Sequence, residues 1–285
     1  MKPLMTRLFL GVVYFACALL QTAAGAEKPA PYTLALIPQR PPVDMYRDWT
    51  PFLELLSQKS GLKLELKVFA GMEEFEEQLE SGLPDFIFTN STQAVQAWRS
   101  QRYLPLVRSS AMLKGVLFVK KDSPVTEVND LLDKKIAFVG AKNLCSVFVR
   151  DGLHHDLLAY SFIRLYEGST QNVFKTVLLG KADAGVTLDV NLDTASNEIR
   201  EGMRIIYQTA PLAPHPLSAH PRLPQDVRER FLETILAIGA NPRHESLLKS
   251  IGLAHPIPAD YHRDYRSLEE IDLETLTAET CASEP

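Results

Sequence analysis

Twice along this chain, short apolar runs alternate with segments of helical period, and no other feature narrows the possible folds so far. Tyr32-Thr33-Leu34-Ala35-Leu36-Ile37 reads as a strand ended by Pro38. Trp49, Phe52, Leu53 and Leu56 then recur at i, i+3, i+4 and i+7 and stop at Gly61, the pattern of a helix with a C-terminal glycine. Leu62 to Phe69 alternates as a second strand, Met72, Phe75 and Leu79 mark a second helix, and Asp85-Phe86-Ile87-Phe88-Thr89 is a third strand. Such a βαβαβ order implies a parallel sheet with helices on both faces.

The same grammar returns further on. Val116 to Lys120, Ile136 to Val139, Phe162 to Tyr166 and Ala184 to Thr187 read as strands, and Val173 to Leu179 as a helix. Leu79-Glu80-Ser81-Gly82-Leu83-Pro84-Asp85-Phe86 and Leu178-Leu179-Gly180-Lys181-Ala182-Asp183-Ala184 share a helix end, then Gly-x-x-Asp, then a strand. Two similar α/β lobes are the economical reading, although Gly-x-x-Asp is also a common turn. Between Arg222 and Pro242, Val227, Phe231, Ile235 and Leu236 lie on one side of an amphipathic helix, and Glu245 to Ile251 forms a shorter one. The tail beyond Asp272 is polar and acidic, and no structure is expected of it.

The N-terminus has the layout of a secretory leader. Lys2 and Arg7 are positive, Leu8 to Leu20 is almost wholly apolar, and Ala24-Gly25-Ala26 is a small-residue cleavage site, so residues 1–26 are set apart as a signal peptide. Acylation at Cys17 is the rival reading, weakened by the bulky Tyr14 and Phe15 before it. The leader carries two of the 30 basic residues and no acid, so 28 remain against 35 acidic ones, a formal charge of −7 over 259 residues. That balance argues against nucleic acid and anionic membrane surfaces as partners. No later segment approaches the ~20 apolar residues of a membrane span. Only Cys145 and Cys281 remain, too few for a disulfide framework; they could pair in an oxidising compartment, though Cys281 lies in the polar tail.

Several stretches together resemble the periplasmic substrate-binding proteins of the phosphate/phosphite/phosphonate family. They are the first strand, Trp49-Thr50-Pro51-Phe52-Leu53-Glu54-Leu55-Leu56, Gly82 to Ile87, Val116 to Pro124 with Asp130-Leu131-Leu132, Lys135 to Phe138, Gly180 to Gly185, and Pro256 to Tyr265. The resemblance implies an α/β protein of two Rossmann-like lobes joined by a hinge, the type II periplasmic binding protein architecture. The lobes would be residues 27–113 with 204–285, and residues 114–203, with hinge crossings near Met112 to Val116 and near Met203 to Thr209. It also implies a small-molecule ligand, an ABC permease as partner, no cofactor, no metal and no catalysis. The ligand motifs depart from the family's. Leu144-Cys145-Ser146-Val147 stands where the family commonly has a Ser-Thr-Ser-Gly turn, Gly168-Ser169-Thr170 where it has a Gly-Ser-His-like turn, and Met72-Glu73 where an aromatic is frequent.

In open α/β sheets a ligand binds beyond the carboxyl ends of the strands, where helix N-termini aim free N–H groups at it. This selects the turns Gln39 to Pro42, Ala70 to Met72, Thr89 to Thr92, Lys142 to Ser146, Gly168 to Gln171 and Thr187 to Asp189. Within them Thr89, Asn90, Ser91, Asn143, Cys145, Ser146, Ser169 and Thr170 could hold an anion through neutral donors, or could simply cap their helices. Arg40 could supply a forked contact to an oxyanion, and Asp189 could complement an amine; each could equally be a solvated loop charge. His215 and His220 lie in a late loop expected to pass near the cleft. Cys145-Ser146 lacks the Gly-x-Ser-x-Gly setting of a nucleophile, and His154-His155-Asp156 are neighbours that splay apart on a helix, so packing and solvated roles are favoured for both.

The expected function is that of a monomeric periplasmic protein closing on a small polar or anionic ligand for an ABC transporter. One alternative is a ligand-sensing adaptor for a membrane sensor kinase, suggested by the altered turns. A secreted hydrolase using Cys145 or Ser146 is a remote one.

Overall fold

The computed structural model describes residues 30–141, 143–155 and 162–271. The segment read as a leader, Lys142, Asp156, Cys281 and the acidic tail therefore lie outside the described residues, as do the side chains of His154 and His155.

Strand β1 (Tyr32–Leu36) lies between β2 (Leu64–Val68) and β3 (Phe86–Phe88), parallel to both. Leu34, Ala35 and Leu36 are all fully buried, as a strand covered on both faces requires. Helix α1 (Pro42–Ser60) joins β1 to β2 and α2 (Met72–Glu80) joins β2 to β3. Helix α1 starts a full two turns before the periodicity suggests, because Pro42 occupies its first position, where a missing N–H costs nothing. It stops as expected at Gly61, whose φ of 72° lets its amide donate to the Ser57 carbonyl at 2.9 Å.

Beyond β3 the expected parallel sheet becomes antiparallel. Strand β10 (Pro216–Ala219) inserts between β3 and β4 (Leu104–Ser109), and β11 (Pro256–Pro258) forms the edge, giving the order β11-β4-β10-β3-β1-β2. The second sheet has the order β7-β6-β8-β5-β9. Its strands are β5 (Gly115–Lys120), β6 (Lys135–Phe138), β7 (Ile163–Tyr166), β8 (Ala184–Leu188) and β9 (Met203–Gln208), with the short helices α6 (Asp189–Asp193) and α7 (Asn197–Gly202) between the last two. Only β7, β6 and β8 are parallel here. The alternation along β5 divides two cores: Leu117 and Val119 pack with Cys145, Val149 and Leu153 of α4 (Leu144–His155), and Phe118 with Val173, Phe174 and Val177 of α5 (Thr170–Leu178).

The Gly-x-x-Asp repeat is a structural one. Gly82 and Gly180 both have φ of 67°. Asp85 Oδ2 accepts from the amide of Thr33 at 2.9 Å, and Asp183 Oδ2 from the amide of Lys135 at 2.9 Å, so each carboxylate clamps the start of the neighbouring parallel strand.

The chain leaves the first sheet after Ser109 and returns at Pro216. Expectation put the return at residue 204, but β9 pairs with β5 through Gln208. An apolar edge strand such as Arg204-Ile205-Ile206-Tyr207 needs that partner, and the return crossing is residues 209–215. The two crossings are themselves paired: Leu113 and Leu212 exchange both backbone hydrogen bonds, at 2.9 and 2.7 Å. The amide of Gly115 donates to Thr209 Oγ1 at 3.0 Å.

After β10 the chain comes back over the first sheet. In α8 (Gln225–Gly239), Val227, Phe231 and Ile235 are buried as the amphipathic pattern required, and α9 (Glu245–Ser250) follows. Phe231 stacks on Phe86 with centroids 3.9 Å apart and rings 11° from parallel. The buried pair Arg108–Asp264, 3.0 Å, ties β4 to the short helix Tyr261–Asp264 near the end of the described chain. Burial alone would raise the Asp264 pKa; hydrogen bonds from Arg263 and Arg108 hold it at about 2. Replacing Phe231 by Ala removes the ring that seats α8 on the sheet and is expected to lower unfolding free energy by about 3–5 kcal/mol, read as a lower denaturant midpoint.

Candidate functional site

A cleft cavity of about 360 Å³ opens where the carboxyl ends of the two sheets' parallel strands face each other. Ile37, Gln39, Met72, Asn90 and His215 line it from the first sheet's side, and Val139, Asn143, Leu144, Cys145, Gly168, Thr170, Leu188 and Asn191 from the second's. Among the described lining residues there is no Asp, Glu, Lys or Arg. The polar character comes instead from helix starts. Met72 opens α2, Asn90 caps α3 (Ser91–Gln101), Leu144 and Cys145 open α4, and Thr170 opens α5. Four helix first turns, whose leading N–H groups lack intrahelical partners and are only partly capped by side chains, line one chamber with no charged side chain among its described residues, a setting that favours a negatively charged guest.

Asn90 makes a reciprocal cap: its Oδ1 accepts from the Gln93 amide at 2.8 Å while the Gln93 side chain accepts from the Asn90 amide at 3.5 Å. Asn143 Oδ1 accepts from the Cys145 amide at 3.2 Å and from its thiol at 2.7 Å. Burial pushes the Cys145 thiol up to about 12, against opposing hydrogen bonds around Ser146, so it is a protonated thiol at neutral pH. His215 stacks on Phe88 at 5.6 Å, and its Nε2 accepts from the Gln39 side-chain amide at 2.6 Å, which leaves the proton on Nδ1. The ring sits deep in the cleft with only part of its surface open, and burial pushes its pKa down to about 4.

Of the residues singled out from sequence, Asn90, Asn143, Cys145, Thr170 and His215 come together around this cavity. The others are placed elsewhere. Thr89 is fully buried beneath it, its hydroxyl without a hydrogen-bond partner. Ser91 is also buried and donates to the Ala213 carbonyl at 2.6 Å, fastening α3 to the return crossing. Ser146 is fully buried in α4, its contact with the Cys145 thiol falling short of hydrogen-bond geometry. Ser169 caps α5, accepting from the Asn172 amide at 3.2 Å. Arg40 is held by Asp48 at 2.6 Å and faces a second cavity. Asp189 is committed to the hinge: its Oδ1 accepts from the Lys114 amide at 3.1 Å. His220 packs edge-on against Tyr103 at 4.9 Å, outside the lining.

Asn191 is the lining residue that sequence reasoning passed over. It stands two positions beyond the selected turn Thr187 to Asp189, in the first turn of α6 (Asp189–Asp193), and donates to Thr187 Oγ1 at 3.2 Å. Extending each strand-end turn by one helical turn would have found it.

The family of ABC-transporter periplasmic phosphonate substrate-binding proteins matches residues 34–265. The chain belongs to that family. A phosphonates-binding periplasmic protein of Escherichia coli (strain K12) is 22% identical over 251 residues, covering 83% of this chain and 74% of its own. PhnD1 of Prochlorococcus marinus (MIT 9301), solved with methylphosphonate, superposes with a TM-score of 0.71 at 14% identity, over 88% of this chain and 100% of its own. A Xanthomonas citri protein solved with chloride ion gives 0.69 at 18% identity, over 88% and 97%. The fold is thus the two-lobed type II periplasmic binding protein fold, and the family's members are substrate-binding components of transporters. At the turn for which the resemblance implies Ser-Thr-Ser-Gly, Leu144 and Cys145 line the cavity, whereas Ser146 is fully buried and is not part of the lining.

The low pKa of His215 has a definite sign. Its folded value lies below the ~6.5 of an unfolded histidine, so its contribution to stability is complete above about pH 6.5 and is lost as pH falls toward 4. His215→Asn should flatten the fall in melting temperature between pH 6.5 and 4, compared with the unsubstituted protein.

Proposed function

We propose that this protein captures a small organic oxyanion, of the phosphonate class, in the cleft between its lobes and delivers it to an ABC permease without chemical change. The observation that carries the reading is the chamber, with no charged side chain among its described lining residues, rimmed by four helix starts drawn from both lobes. Backbone N–H groups and the amides of Asn90, Asn143, Asn191 and Gln39 supply donors, and Thr170 supplies a hydroxyl. A guest bridging both sets of donors holds the lobes closed, with the paired crossings at Leu113 and Leu212 as the hinge. The protonated, buried Cys145 thiol speaks against a nucleophilic role, in keeping with transport instead of turnover. The protein works as a monomer in the periplasm after loss of residues 1–26.

Thermal unfolding against phosphate, methylphosphonate, sulfonates, carboxylates and amino acids tests this. A phosphonate at about 100 times its Kd adds roughly 2.7 kcal/mol, and solution scattering shows a smaller radius of gyration with it than without. Stabilisation by amino acids alone, with no response to any oxyanion, overturns the reading. Thr170→Val keeps the shape and removes the hydroxyl, and should raise the Kd about two- to tenfold in calorimetry.

The apolar Leu144 and the thiol of Cys145 at the family's oxyanion turn favour one second reading, an adaptor that reports to a membrane sensor kinase. It predicts no shift with any small oxyanion and co-purification with a kinase ectodomain.

A further inference from the structure

A second cavity, of about 440 Å³, shares Gln39, Leu188 and His215 with the first. The two are therefore adjoining chambers, with the Gln39–His215 pair standing on the boundary. The walls differ in kind. Trp49, Phe88, Leu113, Val190, Pro214 and Ile251 give the second chamber an apolar lining. Its polar side chains are already engaged within the protein: Arg40 with Asp48 at 2.6 Å, Ser109 with the Ala254 carbonyl at 2.7 Å, and Ser250 with the Leu247 carbonyl at 2.8 Å. Lys249 is exposed to solvent. Away from Lys249 and the outer N–H groups of Arg40, which lie at the solvent edge, a polar substituent would leave water without gaining partners, whereas an apolar one would gain contacts on several sides.

We propose that the ligand is amphiphilic: its anionic head occupies the neutral chamber, and an alkyl or aryl substituent passes the Gln39–His215 pair into the apolar chamber beside the hinge. This rests on the reading of the first chamber as an oxyanion site and adds what the oxyanion carries. Together the chambers offer the room of a ligand far larger than methylphosphonate, within the range of sites for drug-sized molecules, about 300–1,000 Å³. The substituent also touches Leu113, so its length bears on the hinge directly.

The test is calorimetry of the purified protein with methyl-, butyl-, hexyl- and phenylphosphonate. Affinity is expected to rise about three- to fourfold for each methylene buried, with a heat-capacity change that grows more negative along the alkyl series. Ala111→Phe places a ring in the apolar chamber from an exposed position and should shrink the ratio of hexyl to methyl affinity at least tenfold. Hexyl- and phenylphosphonate binding no tighter than methylphosphonate overturns the inference while leaving the oxyanion site standing. If no phosphonate binds, the oxyanion reading fails by itself, and the apolar chamber is decided separately through Trp49 in its wall. In a Trp98→Phe background, benzyl alcohol should then shift the Trp49 emission, and Ala111→Phe should abolish that shift. An unchanged emission overturns the chamber as well.

Discussion

Everything about the cleft depends on the pairing of Leu113 with Leu212. Two single-chain crossings between lobes would be loose tethers; exchanging both backbone hydrogen bonds makes them a two-stranded ribbon. Side chains fasten that ribbon to both lobes. Ser91 and Tyr265 donate to the carbonyls of Ala213 and Pro214, and Asp189 holds the amide of Lys114. A short ribbon gripped at both ends can flex as a hinge while keeping the strand ends of the two sheets opposed. Residues that look like ligand contacts in sequence, Ser91 and Asp189 above all, are engaged in this gripping.

How far the fold was legible follows from how each strand is buried. Strands β1, β3, β5 and β8 are covered on both faces and read as continuous apolar runs. The strands that escaped notice, β4, β10 and β11, carry Pro105, Pro216, Pro256 and Pro258. Proline argues against a strand on propensity, yet Pro216 and Pro256 each stand at the first residue of theirs, where the missing N–H does little harm. Strand β9 reads as a crossing in the sequence because nothing in Met203 to Gln208 says which lobe it pairs with; that information sits in β5.

The site was legible at the level of turns and not of side chains. The rule that ligands lie beyond strand carboxyl ends found Gln39, Met72, Asn90, Asn143 and Thr170. Whether a hydroxyl in such a turn faces the cavity depends on a rotation of about 100° per helical residue, and this separates Cys145 from Ser146 and Asn90 from Ser91. His215 enters from a segment distant in sequence, brought in by β10. Its neutral ring and the Gln39 amide place a hydrogen-bonded divider between a polar and an apolar chamber, a division that no local motif encodes.

The position of β10 also dictates an order of events in the making of the protein. The first sheet's β3 and β4 are next to each other in sequence but not in space; the strand that belongs between them arrives only at residues 216–219, after every strand of the second sheet has been synthesised. A nascent or emerging chain can therefore complete its second lobe while the first still has a gap in the middle of its sheet. Strand β10 fills that gap, and α8, which follows it in the chain, carries Phe231 onto Phe86. The N-terminal lobe is thus the later one to be finished, and its assembly waits on the C-terminal third of the chain.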